Sequence, residues 1–171
     1  MRIGGGAVSI ADVTDRTARD LGFVRPFWLN EIRAGRAFVH AVRLAASVGD
    51  SGHIQLFNPA GSGITVIPYR LITATDANAA LNLSQHNTEL GTDNGVGVNL
   101  LSGGPASAAH LRSIDSAVGL GTILGETRSL ADTPFEWYRD WLMELGEGEG
   151  LVSFSGTANI LNMATFFWIE I

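Results

Sequence analysis

The chain has 171 residues, of which 46% are hydrophobic and 16% charged, and its formal net charge is -6. This length suits one domain with a substantial core, and the composition excludes an intrinsically disordered protein. The acidic balance argues against a general nucleic-acid-binding role, and the absence of cysteine excludes disulfides and thiolate metal sites. No apolar run approaches the roughly 18 residues that a membrane-spanning helix needs, so we expect no membrane partner.

The first 36 residues differ from the rest of the chain. Charges are dense and apolar residues few between Ile10 and Gly22, so this segment cannot form a core alone. We interpret 1–36 as an N-terminal arm, extended or with a short helical turn, that packs on something else; a frayed terminus is the competing interpretation. The arm residues that we expect to contact a neighbouring protein are Arg16, Arg19 and Leu21.

From residue 37 the apolar pattern changes to period two, which is typical of half-buried strands. Glycine-rich and asparagine-rich turns divide this region into segments. Pro68 falls inside one of them and predicts an edge position or a bulge there. The strands predicted in this half of the chain are 38–48, 53–57, 64–75 and 79–85.

The middle of the sequence has a weaker pattern. Strands are predicted near 96–100 and over 122–130. The segment 105–118 fits either a helix or a strand plus a loop. The segment 135–145 is also ambiguous, but its aromatic residues and the glycine-rich turn after it favour a strand.

The end of the chain predicts two strands, 151–155 and 160–171, joined as a closing hairpin through 156–159. The last strand carries large apolar residues on both faces, which requires a central position in a sandwich or burial by another subunit. We select Phe167 and Ile169 as the residues that face a neighbour. About eight strands predict an all-β fold, an antiparallel β-sandwich that is jelly-roll-like, over 37–171.

The most tempting motif runs from Asn58 to Thr65 and looks like the end of a phosphate-binding loop, but Asn58 stands where that loop has its first glycine. That loop needs a lysine before its Ser or Thr, and Ile64 stands there instead. The segment that follows has the pattern of a strand, so no helix N-terminus would face a phosphate. We interpret the motif as a turn.

No other pattern predicts chemistry. The histidines lack metal-pair spacing; we expect His40 in the core and both His53 and His86 at the surface. Glu136, Asp140 and Glu144 fit a solvated strand face better than a glycosidase pair. We therefore predict no catalytic, cofactor-binding or metal-binding residues and no enzyme activity.

The tryptophans allow a second interpretation. Trp28, Trp137, Trp141 and Trp168 could stack on sugars, although tryptophan is also a routine core and interface residue. The alternative function is therefore a carbohydrate- or receptor-binding module, for which exposed aromatic residues on loops would be the sign.

Three short stretches together resemble small virion structural proteins of tailed bacteriophages. They are the arm sequence 13–22 with its Asp15-Arg16 pair, the strand and Asn-Pro turn over 56–63, and the closing region from Gly148 to Glu170. The group often has Lys where Ile64 stands here, which matters little for a turn.

The resemblance implies a non-enzymatic β-sandwich that oligomerises on a phage particle, located in the virion after assembly in the host cytoplasm. A homotrimer is the favoured state, and capsid decoration is the favoured role over tail or collar. Expected partners are other copies of the chain and the major capsid, portal or tail proteins, with no nucleic acid and no membrane.

Overall fold

The computed structural model describes residues 27–137 and 143–171. Helix α1 spans Phe27–Arg33, inside the predicted arm, while the helical turn predicted near 12–22 lies outside the described residues. The helix ends in a Schellman motif, because Gly35 adopts a φ of 71° and the amide of Arg36 donates to the carbonyl of Glu31. The strands are β1 (Ala37–Ala45), β2 (Ser51–Phe57), β3 (Val66–Thr75), β4 (Ala79–Gln85), β5 (Thr92–Val96), β6 (Val98–Asn99), β7 (His110–Ser116), β8 (Thr122–Ser129), β9 (Phe135–Trp137), β10 (Gly150–Ser155) and β11 (Leu161–Glu170).

The strands form two antiparallel sheets that pack face to face, which confirms the predicted all-β sandwich. Sheet A has the order β6-β1-β11-β3-β9, and sheet B has the order β5-β7-β2-β10-β4-β8. The four strands β1-β11-β3-β9 facing β2-β10-β4-β8 give the connectivity of a jelly roll. The segment between β4 and β8 is an insertion that adds β6 to sheet A and β5 and β7 to sheet B.

The predicted closing hairpin is wrong. β10 lies between β2 and β4 in sheet B, whereas β11 lies between β1 and β3 in sheet A. The turn over 156–159 therefore carries the chain from one sheet to the other. Two backbone hydrogen bonds hold it, from the amide of Gly156 to the carbonyl of Ala80 and from the amide of Asn159 to the carbonyl of Asp50. Turn chemistry alone cannot distinguish a hairpin from such a corner, because both need the same residues.

The structure resolves one of the two ambiguous segments and describes both ends of the other. The segment 105–118 is a loop followed by β7, so the helix alternative is wrong. The strand predicted over 135–145 exists as β9 at its start, and Leu145 bridges to Val66 at its end. Residues 138–142 lie outside the described residues.

Pro68 lies at the predicted bulge. The register between β3 and β11 shifts between Phe167 and Trp168, and Tyr69 is the extra residue. Pro68 therefore pairs opposite Trp168 while Arg70 pairs opposite Phe167. The bulge lets a residue without an N–H lie in an interior strand.

Trp168 is the largest side chain of the core and is fully buried. It stacks on Phe38 of the adjacent strand at a centroid distance of 6.0 Å. Gly97 lies so close to the indole ring that a Cβ at this position would overlap it. The indole N–H donates to Glu170 at 3.0 Å, so the largest core residue also satisfies a buried carboxylate.

Glu170 is a buried carboxylate held by neutral donors. Besides the indole, the hydroxyl of Ser107 and the amides of Ala108 and Ala109 donate to it. These bonds tie the end of β11 to the loop before β7, and so join sheet A to sheet B. A buried charge needs such partners because burial without them is costly.

Two further polar side chains connect the sheets. Asn162 of β11 donates to the carbonyls of Gly52 and Ser153, both at 3.1 Å, in sheet B. Nδ1 of His40, on β1 of sheet A, donates to the carbonyl of Val96, on β5 of sheet B, at 2.7 Å. We predicted a hydrogen-bonded core position for His40. The hydrogen bond is present, but the residue is only half-buried.

Replacing Trp168 tests the core assignment. Trp168→Ala should lower the free energy of unfolding by about 3–5 kcal/mol, because it leaves a cavity and removes a donor to Glu170. Trp168→Phe, which keeps a ring but loses the donor, should cost clearly less. Urea denaturation of both variants measures the difference; equal losses, or a loss below about 1 kcal/mol for the alanine variant, would contradict the assignment.

Candidate functional site

The solvent-facing side of sheet A is a candidate interaction surface, which we call the outer A face. Alternation along each strand places it opposite the core side that holds Trp168. The outer A face consists of Val39, Ala41, Arg43 and Ala45 of β1, Leu161, Met163, Thr165, Phe167 and Ile169 of β11, Ile67, Arg70, Ile72 and Ala74 of β3, and Glu136 of β9.

The outer A face is unusually apolar for the open side of an antiparallel sheet, which is normally polar. Its charged members are Arg43, Arg70 and Glu136, and the rest are aliphatic or aromatic apart from Thr165. Among the described residues, Met163, Phe167 and the other residues that β11 contributes to this face before Ile169 are half-buried. A contiguous surface of this kind is typical of a protein–protein contact.

Phe167 is the centre of the outer A face. The guanidinium carbon of Arg70 lies 5.3 Å from its ring centroid, within cation–π range. The same guanidinium donates to both carboxylate oxygens of Glu136, at 2.8 and 3.2 Å. The ring of Tyr69 lies 6.1 Å away. The charges at the centre therefore neutralise each other over an aromatic ring, which lowers the cost of covering them.

The opposite side of sheet B is different, because loops already cover it. Gln55 is fully buried there, and its amide donates to the carbonyls of His86 and Thr88. Its carbonyl oxygen accepts from the amide of Leu90 at 3.0 Å. One buried glutamine thus fixes the loop after β4 onto the sheet.

A small second core lies beneath these loops. Leu90, Val152 and Phe154 are buried together, with Leu120 packed against them. The hydroxyl of Ser84 donates to the carbonyl of Leu120 at 2.6 Å and holds the loop after β7 in place. The loops after β4 and β7 therefore cover the middle of the outward side of sheet B, whereas among the described residues the outer A face stays partly open.

The structure places the predicted interface residues of the last strand on one face. Phe167 and Ile169 both belong to the outer A face, but Ile169 is fully buried whereas Phe167 is not. The arm residues Arg16, Arg19 and Leu21 lie outside the described residues. The structure therefore tests neither the arm contact nor the interface role.

Sequence reasoning missed Arg70, Ile72 and Met163 as members of this face. Ile72 and Met163 belong to the same period-two pattern as Phe167, but their face is known only once β11 is placed between β1 and β3. Arg70 joins them because the bulge at Tyr69 shifts the alternation by one residue. Pro68 was the available signal for that shift.

The turn after β2 leads into the strand β3 and not into a helix. Asn58 is buried, and its amide donates to the carbonyls of Ile64 and Leu145. The amides of Gly61 and Gly63 both donate to the carboxylate of Glu147, at 3.0 and 2.8 Å. The donors that could bind an anion are thus occupied by this chain's own carboxylate.

The prediction that His53 lies at the surface is wrong. Its ring is fully buried and stacks on Phe154 at a centroid distance of 4.5 Å. β2 begins at Ser51, so His53 lies inside the strand and beneath the loops of sheet B. Nδ1 donates to the carbonyl of Ser51 at 2.9 Å, while Nε2 is buried without a partner among the described residues.

Metal clusters and cavities are the remaining kinds of candidate site. Within 27–137 and 143–171, no group of three or more His, Asp or Glu side chains gathers to hold a metal ion. An apolar cavity of about 40 Å³ lies behind the bulge, lined by Leu71, Leu83 and Trp137 among others.

Known proteins offer no guide to this chain. Searches against protein-family models, curated proteins and solved structures find no match. In the part of the chain that the structure describes, no helix has the length and apolar character needed to cross a membrane. The argument for self-association therefore rests on the surfaces of the molecule itself.

Acid should destabilise the protein through His53. Burial lowers the pKa of His53 below its ordinary value of 6.5, against the opposing effects of the Ser51 carbonyl and Asp115 and with a further lowering from His86. The unfolded state therefore binds the proton first, and stability falls as the pH drops below about 6.5 toward the folded-state pKa.

The matched variant is His53→Phe, which keeps the ring stacked on Phe154 but cannot titrate. Chemical denaturation at pH 5 and pH 8 should show a smaller loss of stability in acid for this variant than for the natural protein. Equal losses would exclude His53 as the source.

Proposed function

We propose that the chain is a non-enzymatic structural protein of a tailed-phage virion, which associates with further copies of itself through the outer A face. One observation supports the self-association. The sheet face around Phe167 is apolar, its central charges are paired, and the described residues leave it half-open, whereas loops cover part of the outward side of sheet B. An isolated protein would gain nothing from such a face.

The virion assignment rests on the sequence resemblance and on fold analogy. The jelly roll recurs in viral capsid proteins, but also in lectins and cupins, so topology alone does not select a function. The resemblance favours capsid decoration as a homotrimer, with tail and collar as the other positions.

Self-association is tested by changing Phe167 to a polar residue of similar length. Phe167→Gln removes the central ring, and full burial of such a side chain contributes about 1.5–3 kcal/mol, so the association constant should fall at least about tenfold. The control is Ile123→Gln, since Ile123 is an exposed apolar residue on β8 of sheet B. Its association should not change.

Sedimentation velocity gives the mass in units of the 18.1 kDa chain, and thermal melting checks that both variants remain folded. We expect an oligomer for the natural protein and for Ile123→Gln, and dissociation for Phe167→Gln. A monomeric natural protein, or an oligomer that Phe167→Gln leaves intact, would refute the role of this face.

The virion assignment needs a separate measurement. Mass spectrometry of purified particles from a phage that encodes the chain should detect it in a fixed copy number relative to the major capsid protein. Imaging of the same particles then gives its position on head, collar or tail. Its absence from washed, intact particles would contradict the virion role but leave self-association standing.

A further inference from the structure

We propose that the outer A face is covered by residues 1–26 of a neighbouring copy of the chain, so that the subunits exchange their N-terminal segments. This inference rests on the proposed self-association and names the part of the second copy that makes the contact. It follows from where the described chain begins, from the length of the preceding segment and from the open portion of the face.

The chain enters the domain at one end of the outer A face. Ala37 pairs with Ile169 at the start of β1, and the amide of Glu170 donates to the carbonyl of Arg36. Ile169 is fully buried at this end, although it belongs to the outer face. The half-open portion begins with Phe167 and continues to Leu161. The start of β1 therefore lies beside Ile169, at the end of β11 next to the half-open portion.

The preceding segment is long enough to reach beyond its own subunit. Residues 1–26 span about 85 Å when fully extended, whereas the open portion of β11 from Leu161 to Phe167 is about 20 Å long. A segment that only covered its own sheet would use a fraction of this length. The surplus is sufficient to reach the corresponding face of an adjacent subunit.

The composition of the segment complements the face. It contributes scattered apolar residues, such as Val8, Ile10 and Leu21, which are too few for a core of their own but suit a thin layer on an apolar sheet. Arg43 is exposed on the face, and among the described residues no ion-pair partner is found for it. Asp12 and Asp15 of the segment can supply that partner.

Engineered cysteines give a direct test, because the natural chain has no cysteine and so no background reaction. Two full-length copies with tags of different size are produced together, one carrying Leu21→Cys and the other Thr165→Cys. Thr165 is a small residue in the middle of the outer A face. The control replaces the second copy with Glu126→Cys, an exposed position on β8 of sheet B.

Under mild oxidation, we expect a disulfide between the two differently tagged copies to form at least about tenfold faster for Thr165→Cys than for the control, because docking raises the effective concentration of the two thiols to the millimolar range. A non-reducing gel separates this product by size from links between identical copies. Equal rates for the two positions would overturn the exchange.

A single chain that carries both Leu21→Cys and Thr165→Cys tests whether the segment instead covers the sheet of its own subunit. If it forms an internal disulfide while the co-produced copies form none between them, the segment covers its own sheet and the exchange is refuted. Failure of this inference can be distinguished from failure of the proposed function. If Phe167→Gln dissociates the oligomer but cysteines at 21 and 165 do not link between copies, the outer A face is still an interface. Residues 1–26 of a neighbouring copy are then not what covers it.

Discussion

Burial on both sides of β11 is the constraint on which the rest of the molecule depends. An alternating strand presents its even and odd residues to opposite faces, and here both sets are large and apolar around Phe166, Phe167 and Trp168. The core side is covered by sheet B, and β11 lies between β1 and β3 in sheet A. The outward side has no such cover among the described residues, and the case for an assembly begins there.

Polar side chains fix the way in which the two sheets pack over β11. Asn162 and Glu170, near the two ends of the strand, both direct their hydrogen-bonding atoms into the sandwich and connect to sheet B or its loops. Apolar packing alone tolerates sliding, whereas buried hydrogen bonds are costly to leave unmade. These two residues therefore set the register of one sheet on the other and determine which residues remain on the outer A face.

Local patterns in the sequence predicted much of the fold. The exact span of β4, the presence of β1, β3, β8 and β11, and the bulge near Pro68 follow from period-two alternation and turn residues, which act over a few positions. The partners of each strand do not, because pairing depends on contacts far apart in the chain. The closing hairpin was therefore wrong, and His53 was misplaced because loops from distant positions cover it. Phe167 could be selected from alternation, but Arg70 and Glu136 join it only through the tertiary fold.

The account claims that the outward side of β11 is covered by protein in the assembled state. The most direct measurement is an electron cryo-microscopy map of the full-length protein in its assembled form, resolved well enough to show side chains on sheet A. The account predicts density from a neighbouring copy against Phe167 and Met163. An assembly in which this face meets only solvent, with the copies joined through other surfaces, would contradict it.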